Sequence, residues 1–306
     1  MIVDAHTHLF PDEVRKKRHL FCRRDEGFRV IYGNERARIA SLEDLLGTMD
    51  RDGVDQSVIC GFPWKDPGLC REGNDYLLHC WHLHPDRLIP FACIPLRFPR
   101  LAEKELERCL PLGIDGIGEL AFYQPEISPR EIRCLSAILQ PLCGRGIPLL
   151  LHVNEPVGHD YPGKSLKDLQ PIYQLLLALP DMDIILAHWG GGFFFYELMP
   201  EVAGAAQRVY YDTAASPFLY HPLIYKIALK IIGPERILFG SDYPLIPPAR
   251  YFNEINRTRI PSRAQALIKG RNARRLLLQN KVFCESRRTC IMNQSRSGIP
   301  KKTSPS

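Results

Sequence analysis

Two histidines near the start of the chain have the spacing of a metal site. In Val3-Asp4-Ala5-His6-Thr7-His8 one residue separates the two imidazoles, and an apolar run leads up to them. Side chains at positions i and i+2 of a β-strand point to the same face, so both rings would face one side of a sheet. Imidazole binds zinc, iron, manganese and nickel. Alone, this pattern is weak evidence, because two unrelated surface histidines produce it as readily.

Three further ionisable residues come directly after short apolar runs, namely His152, His188 and Asp242. In an α/β barrel the carboxyl ends of the strands converge on one face, so these residues would meet the two histidines of the first run. Burying each ionisable group separately in a core is costly without a partner. The set therefore favours one shared metal site over five independently satisfied side chains.

The elements that must position these residues alternate along the chain. Short apolar or β-branched runs alternate with amphipathic segments of helical period, which is typical of βαβ units and a parallel sheet. The sequence predicts a single-domain α/β fold, a (β/α)8 TIM barrel, with an open doubly wound sheet as the alternative. We predict eight strands, at Ile2–Leu9, Gln56–Phe62, Leu88–Leu96, Gly116–Ala121, Pro148–Glu155, Asp183–Trp189, Arg208–Ala214 and Ile237–Asp242.

The charge is concentrated at one end of the chain. Of the formal net charge of +6, residues 281–306 carry +5, which leaves residues 1–280 nearly neutral. We therefore expect no nucleic-acid surface. The domain prediction is a barrel over residues 1–280, followed by a disordered basic tail over residues 281–306. Residues 10–40 lack clean periodicity and are predicted as a loop insertion on the catalytic face, either a surface loop or a substrate lid.

The chain shows no sign of secretion or of a membrane span. Its ten cysteines are scattered without a Cys-x-x-Cys pair, which is more typical of reduced thiols than of a disulfide framework. The first strand begins at Ile2 and leaves no room for a signal peptide. We expect a cytoplasmic protein whose partner is a small-molecule substrate, with neither nucleic acid nor membrane, and a homodimer is compatible with this.

Four short sequence motifs together resemble those of a known family. They are Val3-Asp4-Ala5-His6-Thr7-His8, Ala187-His188-Trp189-Gly190-Gly191-Gly192, Phe239-Gly240-Ser241-Asp242-Tyr243-Pro244 and Gly270-Arg271-Asn272-Ala273. Their order and their places at strand ends resemble the amidohydrolase superfamily. The four motifs are most similar to those of its amidohydrolase-related branch, which includes aminocarboxymuconate-semialdehyde decarboxylase and the resorcylate decarboxylases. The resemblance covers residues 2 to about 278.

The resemblance implies a divalent metal, zinc first and manganese, iron or nickel as alternatives. Its ligands would be His6, His8, His152 and Asp242. The metal would activate water, and Asp242 would accept the proton of that water and pass it on. His188 would act as a general acid or donate a hydrogen bond to the developing oxyanion.

Glu119, at the end of the fourth predicted strand, departs from the one-metal pattern. In two-metal relatives of this superfamily a carboxylated lysine or a glutamate at this strand bridges the ions. Glu119 could do the same, with His152 and His188 joining a second ion. Alternatively it orients a ligand histidine without touching metal, but we favour direct contact of Glu119 with metal. The number of ions, one or two, stays open at this point.

Polar and aromatic residues close to the strand ends are candidate substrate contacts. The predicted set is Tyr123, Asn154, Trp189, Gly190 and Tyr243. For the aromatic members, packing at the top of the barrel is an equally good interpretation. The glycines after His188 fit either a ligand approach or a tight turn.

Three functions remain open from the sequence. Because of Glu119, the favoured one is hydrolysis of an amide, ester or lactone of a small anionic substrate by metal-activated water. The alternative is metal-dependent, non-oxidative decarboxylation of an aromatic or dienoic acid. A metal-binding barrel without catalysis is the third.

Overall fold

The structure is a computed structural model that describes residues 1–124 and 126–278. In this part of the chain eight parallel strands lie in sequential order around one sheet. The strands are β1 (Val3–His8), β2 (Gln56–Cys60), β3 (Leu88–Ala92), β4 (Gly116–Leu120), β5 (Leu149–Leu151), β6 (Ile184–Leu186), β7 (Val209–Asp212) and β8 (Ile237–Leu238).

Helices separate the strands and pack on the outside of the sheet. Those in the described residues are α1 (Asp12–Lys16), α2 (Arg18–Arg24), α3 (Glu26–Tyr32), α4 (Leu42–Asp52), α5 (Pro67–Leu83), α6 (Pro99–Leu112), α7 (Pro129–Leu139), α8 (Gln170–Ala178), α9 (Pro200–Ala205), α10 (Ser216–Leu219), α11 (Leu223–Ile231), α12 (Pro248–Thr258), α13 (Ser262–Ala266) and α14 (Asn272–Leu278). The segment His188–Leu198 after β6 is 3-10 in character.

Backbone hydrogen bonds between the first and last strands close the sheet into a barrel. The Ala5 N–H donates to the Phe239 carbonyl at 2.8 Å, and the Asp242 N–H donates to the His6 carbonyl at 2.9 Å. Inside the barrel, buried apolar side chains from β1, β2, β3, β5, β6 and β8 pack into one cluster. The predicted (β/α)8 barrel is confirmed, and the doubly wound alternative is wrong.

The strands are shorter than predicted at their carboxyl ends. The sequence predicts that the sixth and eighth strands run to Trp189 and Asp242, but β6 ends at Leu186 and β8 at Leu238. Beyond these points the chain leaves the sheet, and His188 and Asp242 both adopt φ of 57°. The left-handed region cannot continue a strand, so the polar residues sit in turns at the mouth of the barrel.

Residues 10–40 form helices where the sequence predicts a loop. Helices α1, α2 and α3 occupy most of this insertion, and aromatic side chains hold it to the barrel. The Phe28 ring stacks on Trp64 at 4.6 Å between centroids, and the Tyr32 ring lies 5.1 Å from Phe10. Buried aromatic pairs of this kind favour one fixed arrangement, and they dominate the packing of the insertion.

The predicted basic tail, residues 281–306, lies outside the described residues. Within residues 1–124 and 126–278, no helix is long and apolar enough to cross a membrane. The eight cysteines found in the described part are all free thiols.

Candidate metal centre

Side chains from five strand ends converge at the mouth of the barrel. Their exposed fractions lie between 0% for His6 and 16% for Asp242. β1, β4 and the turns after β5, β6 and β8 supply them. They are His6, His8, Glu119, His152, His188 and Asp242.

Each of the four imidazoles has one ring nitrogen committed to a protein acceptor. His6 Nδ1 faces an Asp212 carboxylate oxygen at 2.8 Å, and the equivalent nitrogens of His8 and His188 face backbone carbonyls at 3.3 and 3.1 Å. His152 Nε2 faces the Gly163 carbonyl at 3.2 Å. Since these oxygens can only accept, each of these nitrogens donates its proton, which leaves the other nitrogen of each neutral ring with a bare lone pair.

The four bare nitrogens point at one another in two pairs. His6 Nε2 lies 3.1 Å from His8 Nε2, and His152 Nδ1 lies 3.1 Å from His188 Nε2. Two lone pairs at this separation repel unless a cation lies beside them. The described residues thus offer two groups that could hold a metal ion, and both contain Glu119.

Glu119 connects the two pairs through its two oxygens. Oε2 lies 3.5 Å from both His6 Nε2 and His8 Nε2. Oε1 lies 3.1 Å from His152 Nδ1 and 3.5 Å from His188 Nε2. Nitrogen and carboxylate oxygen donors in this arrangement fit divalent transition metals.

The electrostatics of the cluster favour positive charge. Burial acts to lower the pKa of His6, but the charges of Glu119 and Asp212 outweigh it and raise that pKa well above the ordinary value. Burial likewise opposes protonation of His188, yet its hydrogen bond to Glu119 and the Asp242 charge raise its pKa to about 9. Burial acts to raise the pKa of Glu119, but the charges of His6 and His152 hold it well below its usual range. These shifts show that the carboxylates stabilise positive charge at the histidine nitrogens, whether a proton or a metal ion carries that charge.

Asp242 completes the first pair. Its Oδ1 lies 3.3 Å from His8 Nε2 and 3.7 Å from His6 Nε2. Of the cluster, its side chain is the most exposed, so it can meet both an ion and a bound molecule.

Asp212 fixes the cluster from behind. It is 0% exposed, and one carboxylate oxygen accepts the proton of His6 Nδ1. The other accepts backbone N–H groups of His188 and Ala214 at 2.8 and 3.0 Å. These bonds hold the loop after β7 beside His6, which lies 206 positions away in the sequence.

We expect Asp212→Asn to weaken metal affinity by about 10–100-fold, since a carboxylate that orients a ligand histidine also raises its basicity. Metal titration of the purified variant measures this. Asp183→Asn is the matched control, because Asp183 is also buried but pairs with Arg208 at the other end of the barrel. Equal affinity in the wild type and Asp212→Asn would contradict the role of Asp212.

The rings of Tyr123, Phe62 and Tyr32 lie next to one another on one side of the cluster, and we call them the aromatic roof. The Tyr123 ring lies 6.0 Å from the His152 ring and stacks on Phe62 at 5.5 Å. Tyr123 also lines two cavities of about 1000 and 620 Å³. Tyr32 of α3, which the sequence analysis did not single out, joins this roof through Phe62 at 6.2 Å. Phe28 and Tyr32 have helical i, i+4 spacing, a signal that could have indicated a helix with an aromatic face.

Three of the predicted substrate contacts are packed away from open space. Asn154 and Trp189 are each 0% exposed. The Asn154 amide oxygen accepts from two backbone N–H groups of the loop after β5 at 2.9 and 3.0 Å, and the Trp189 indole donates to a buried serine at 3.0 Å. A Cβ on Gly190 would lie 2.9 Å from a buried tyrosine ring. These positions favour packing over ligand contact.

The two tyrosines predicted to contact substrate lie against different parts of the molecule. The Tyr243 hydroxyl donates to the Asp44 carbonyl of α4 at 3.1 Å and accepts from Thr48 at 3.1 Å. Tyr123 faces the cluster and the cavities. Tyr123 therefore stays a predicted substrate contact, while the Tyr243 hydroxyl holds α4.

The chain belongs to the amidohydrolase family Amidohydro_2, whose sequence model matches residues 3–278. It is 27% identical to gamma-resorcylate decarboxylase of Rhizobium radiobacter, over 78% of this chain and 88% of that protein. It is 28% identical to 6-methylsalicylic acid decarboxylase of Penicillium expansum, over 60% of this chain and 65% of that protein.

A solved structure shares the fold. It is that of dihydroxybenzoic acid decarboxylase from Polaromonas sp. JS666 with bound manganese and the inhibitor 2-nitroresorcinol. The TM-score is 0.68 at 19% identity, with 91% of this chain and 97% of that chain covered.

These relatives correct the function predicted from the sequence. The favoured prediction, hydrolysis of an amide, ester or lactone, is wrong, since both named relatives are decarboxylases of aromatic acids. They support the alternative prediction of decarboxylation. The prediction rested on Glu119. A carboxylate at the end of β4 affects how many ions a site can hold, but it does not determine which bond of a substrate breaks.

Proposed function

We propose that this protein is a metal-dependent, non-oxidative decarboxylase of an aromatic carboxylic acid. The observation that carries the proposal is the convergence of four bare imidazole nitrogens and Glu119 beside a roof of aromatic rings. Such a site can bind an anion at a cation and stack a flat ring beside it. The gamma-resorcylate and 6-methylsalicylic acid decarboxylases among the relatives support the reaction class.

We propose that the residues of the cluster form two groups, each of which holds one divalent metal ion. His6, His8 and Glu119 would hold one ion, with Asp242 beside them, and His152, His188 and Glu119 would hold a second. In this arrangement His188 acts as a ligand, in place of the general-acid role predicted from the sequence. Mixed nitrogen and oxygen donors suit manganese and zinc, and the Polaromonas structure contains bound manganese.

The reaction needs a proton at the ring carbon that carries the carboxylate. When bound, the metal supplies positive charge that fixes the oxygens of the acid. Asp242, the most exposed member of the cluster, would take up a proton from solvent and deliver it to that carbon. The bond to the carboxylate then breaks, its electron pair returns to the ring, and CO2 leaves. The aromatic roof would orient the ring and exclude water.

We expect the manganese-loaded protein to convert gamma-resorcylate or 6-methylsalicylate with release of one CO2 per acid consumed. Chromatography of the product and CO2 detection measure this. In deuterated water the product should carry one deuterium at the carbon that lost the carboxylate. The protein stripped of metal is the control. If the metal-loaded protein releases no CO2 from any member of a hydroxybenzoate panel, the proposed function is overturned.

A further inference from the structure

We propose that α3 of the insertion is part of the substrate site, and that the Tyr32 hydroxyl donates a hydrogen bond to an oxygen substituent on the ring of the substrate. This inference rests on the proposed function, because it takes the ligand to be an oxygenated aromatic acid. It assigns a specificity-determining role to a segment that the sequence predicts only as a surface loop or a lid.

Helix α3 lies directly against the roof of the metal centre. Gly27 is buried, and a Cβ added there would come 2.7 Å from Cδ2 of Tyr123. The helix backbone therefore packs on the Tyr123 ring with no side chain between them. Because that ring is 6.0 Å from the His152 ring, α3 is separated from the cluster by a single aromatic layer.

A second contact places the end of α3 over the same histidine. A Cβ on Gly163 would lie 2.9 Å from Cδ1 of Ile31, the neighbour of Tyr32. The Gly163 carbonyl accepts the proton of His152 Nε2 at 3.2 Å. Thus α3 touches the loop that sets the orientation of His152.

The Tyr32 ring is fixed, while its hydroxyl is unpartnered. The ring lies 4.8 Å from Phe28 and 6.2 Å from Phe62, and the residue is 8% exposed. Among the residues that the structure describes, the hydroxyls of Tyr32 and Tyr123 have no hydrogen-bond partner, and neither oxygen is sealed from solvent. A buried ring with an open, unpaired hydroxyl is suited to a ligand contact.

The charges around these hydroxyls keep them protonated. Burial and then the Asp242 and Glu119 charges raise the pKa of Tyr32 above its ordinary value. Burial and the Glu119 charge raise the pKa of Tyr123 well above its ordinary value. Both groups therefore act as donors, and both rings lie next to Phe62, at 6.2 Å for Tyr32 and 5.5 Å for Tyr123. An acceptor oxygen on a substrate ring matches a pair of donors.

Binding of 2-nitroresorcinol tests the inference without turnover, since this ligand has no carboxylate to lose. We expect Tyr32→Phe in the manganese-loaded protein to weaken its binding about three- to tenfold, the effect of one lost hydrogen bond. The absorption band of the bound nitrophenol should also shift, because it responds to a donor at its oxygen. Tyr196→Phe, at an exposed tyrosine outside the site, is the matched control and should change neither.

The results separate this inference from the proposed function. A weakened affinity and a shifted band in Tyr32→Phe, at unchanged metal content, support the contact even in a protein that releases no CO2. Binding and spectrum that match the wild type in Tyr32→Phe overturn the contact, whatever the decarboxylation assay shows. A wild type that binds no 2-nitroresorcinol overturns the ligand class as well.

Discussion

Replacing both His6 and His8 by alanine should remove the metal and reduce decarboxylation by about a thousandfold or more. The two Nε2 atoms lie 3.1 Å apart, and each ring donates the proton on its Nδ1 to a fixed acceptor, so both Nε2 lone pairs are available to a cation. Losing the charge that fixes the acid oxygens removes several kcal/mol of transition-state stabilisation. Elemental analysis and CO2 release measure the two effects.

The chain contains a matched control for this experiment. His82 and His84 repeat the His-x-His spacing at the end of α5, where His82 Nδ1 lies 2.7 Å from the Leu78 carbonyl. Alanine at both positions should leave the metal content and the rate near wild-type values. A His6 and His8 double variant that keeps full metal content and rate would refute the metal centre.

Glu119→Gln should halve the metal content, from two ions per chain to one at saturating metal. Its two oxygens face different histidine pairs, at 3.5 Å on one side and at 3.1 and 3.5 Å on the other. A neutral amide offers one weak oxygen donor and no charge to share between two cations. The decarboxylation rate should fall by about a hundredfold or more as the second ion is lost.

Metal titration followed by elemental analysis measures this stoichiometry. Glu105→Gln is the matched control, because Glu105 is buried on α6 and pairs with Arg108, away from the cluster. One ion in the wild type, with affinity 10–100-fold weaker in Glu119→Gln, would instead assign Glu119 to orienting a histidine.

The fold was predictable because its signals are local. Apolar runs with a polar residue at the carboxyl end recur along the chain, and a barrel brings those ends together. His6, His8, His152, His188 and Asp242 were therefore expected at one mouth, and the structure places them within a few ångströms of one another. Glu119 followed from the same logic.

What the sequence could not predict depends on contacts between distant segments. The bond from His6 to Asp212 joins β1 to β7, and no local pattern links these residues. The place of Tyr32 in the roof depends on how the insertion folds back on Phe62. Burial of Asn154 and Trp189 likewise depends on packing that surrounds them after folding.

The reaction itself was the weakest part of the prediction, for a chemical reason. Metal ligands define where an ion binds, and the same ions serve hydrolysis and decarboxylation. The groups that hold the substrate decide between these reactions, and they come from the insertion and from the loops. The ligand residues alone therefore left both reactions open.

Asp212 has a consequence for how this site can change over time. One carboxylate holds the ring of His6 in the first histidine pair and the backbone of His188 in the second. A substitution that shifts one pair must therefore move the other, and substitutions in the two halves should not combine additively. Laboratory evolution of a new activity here would meet strong epistasis, so accepted substitutions should accumulate in the insertion and spare the strand ends.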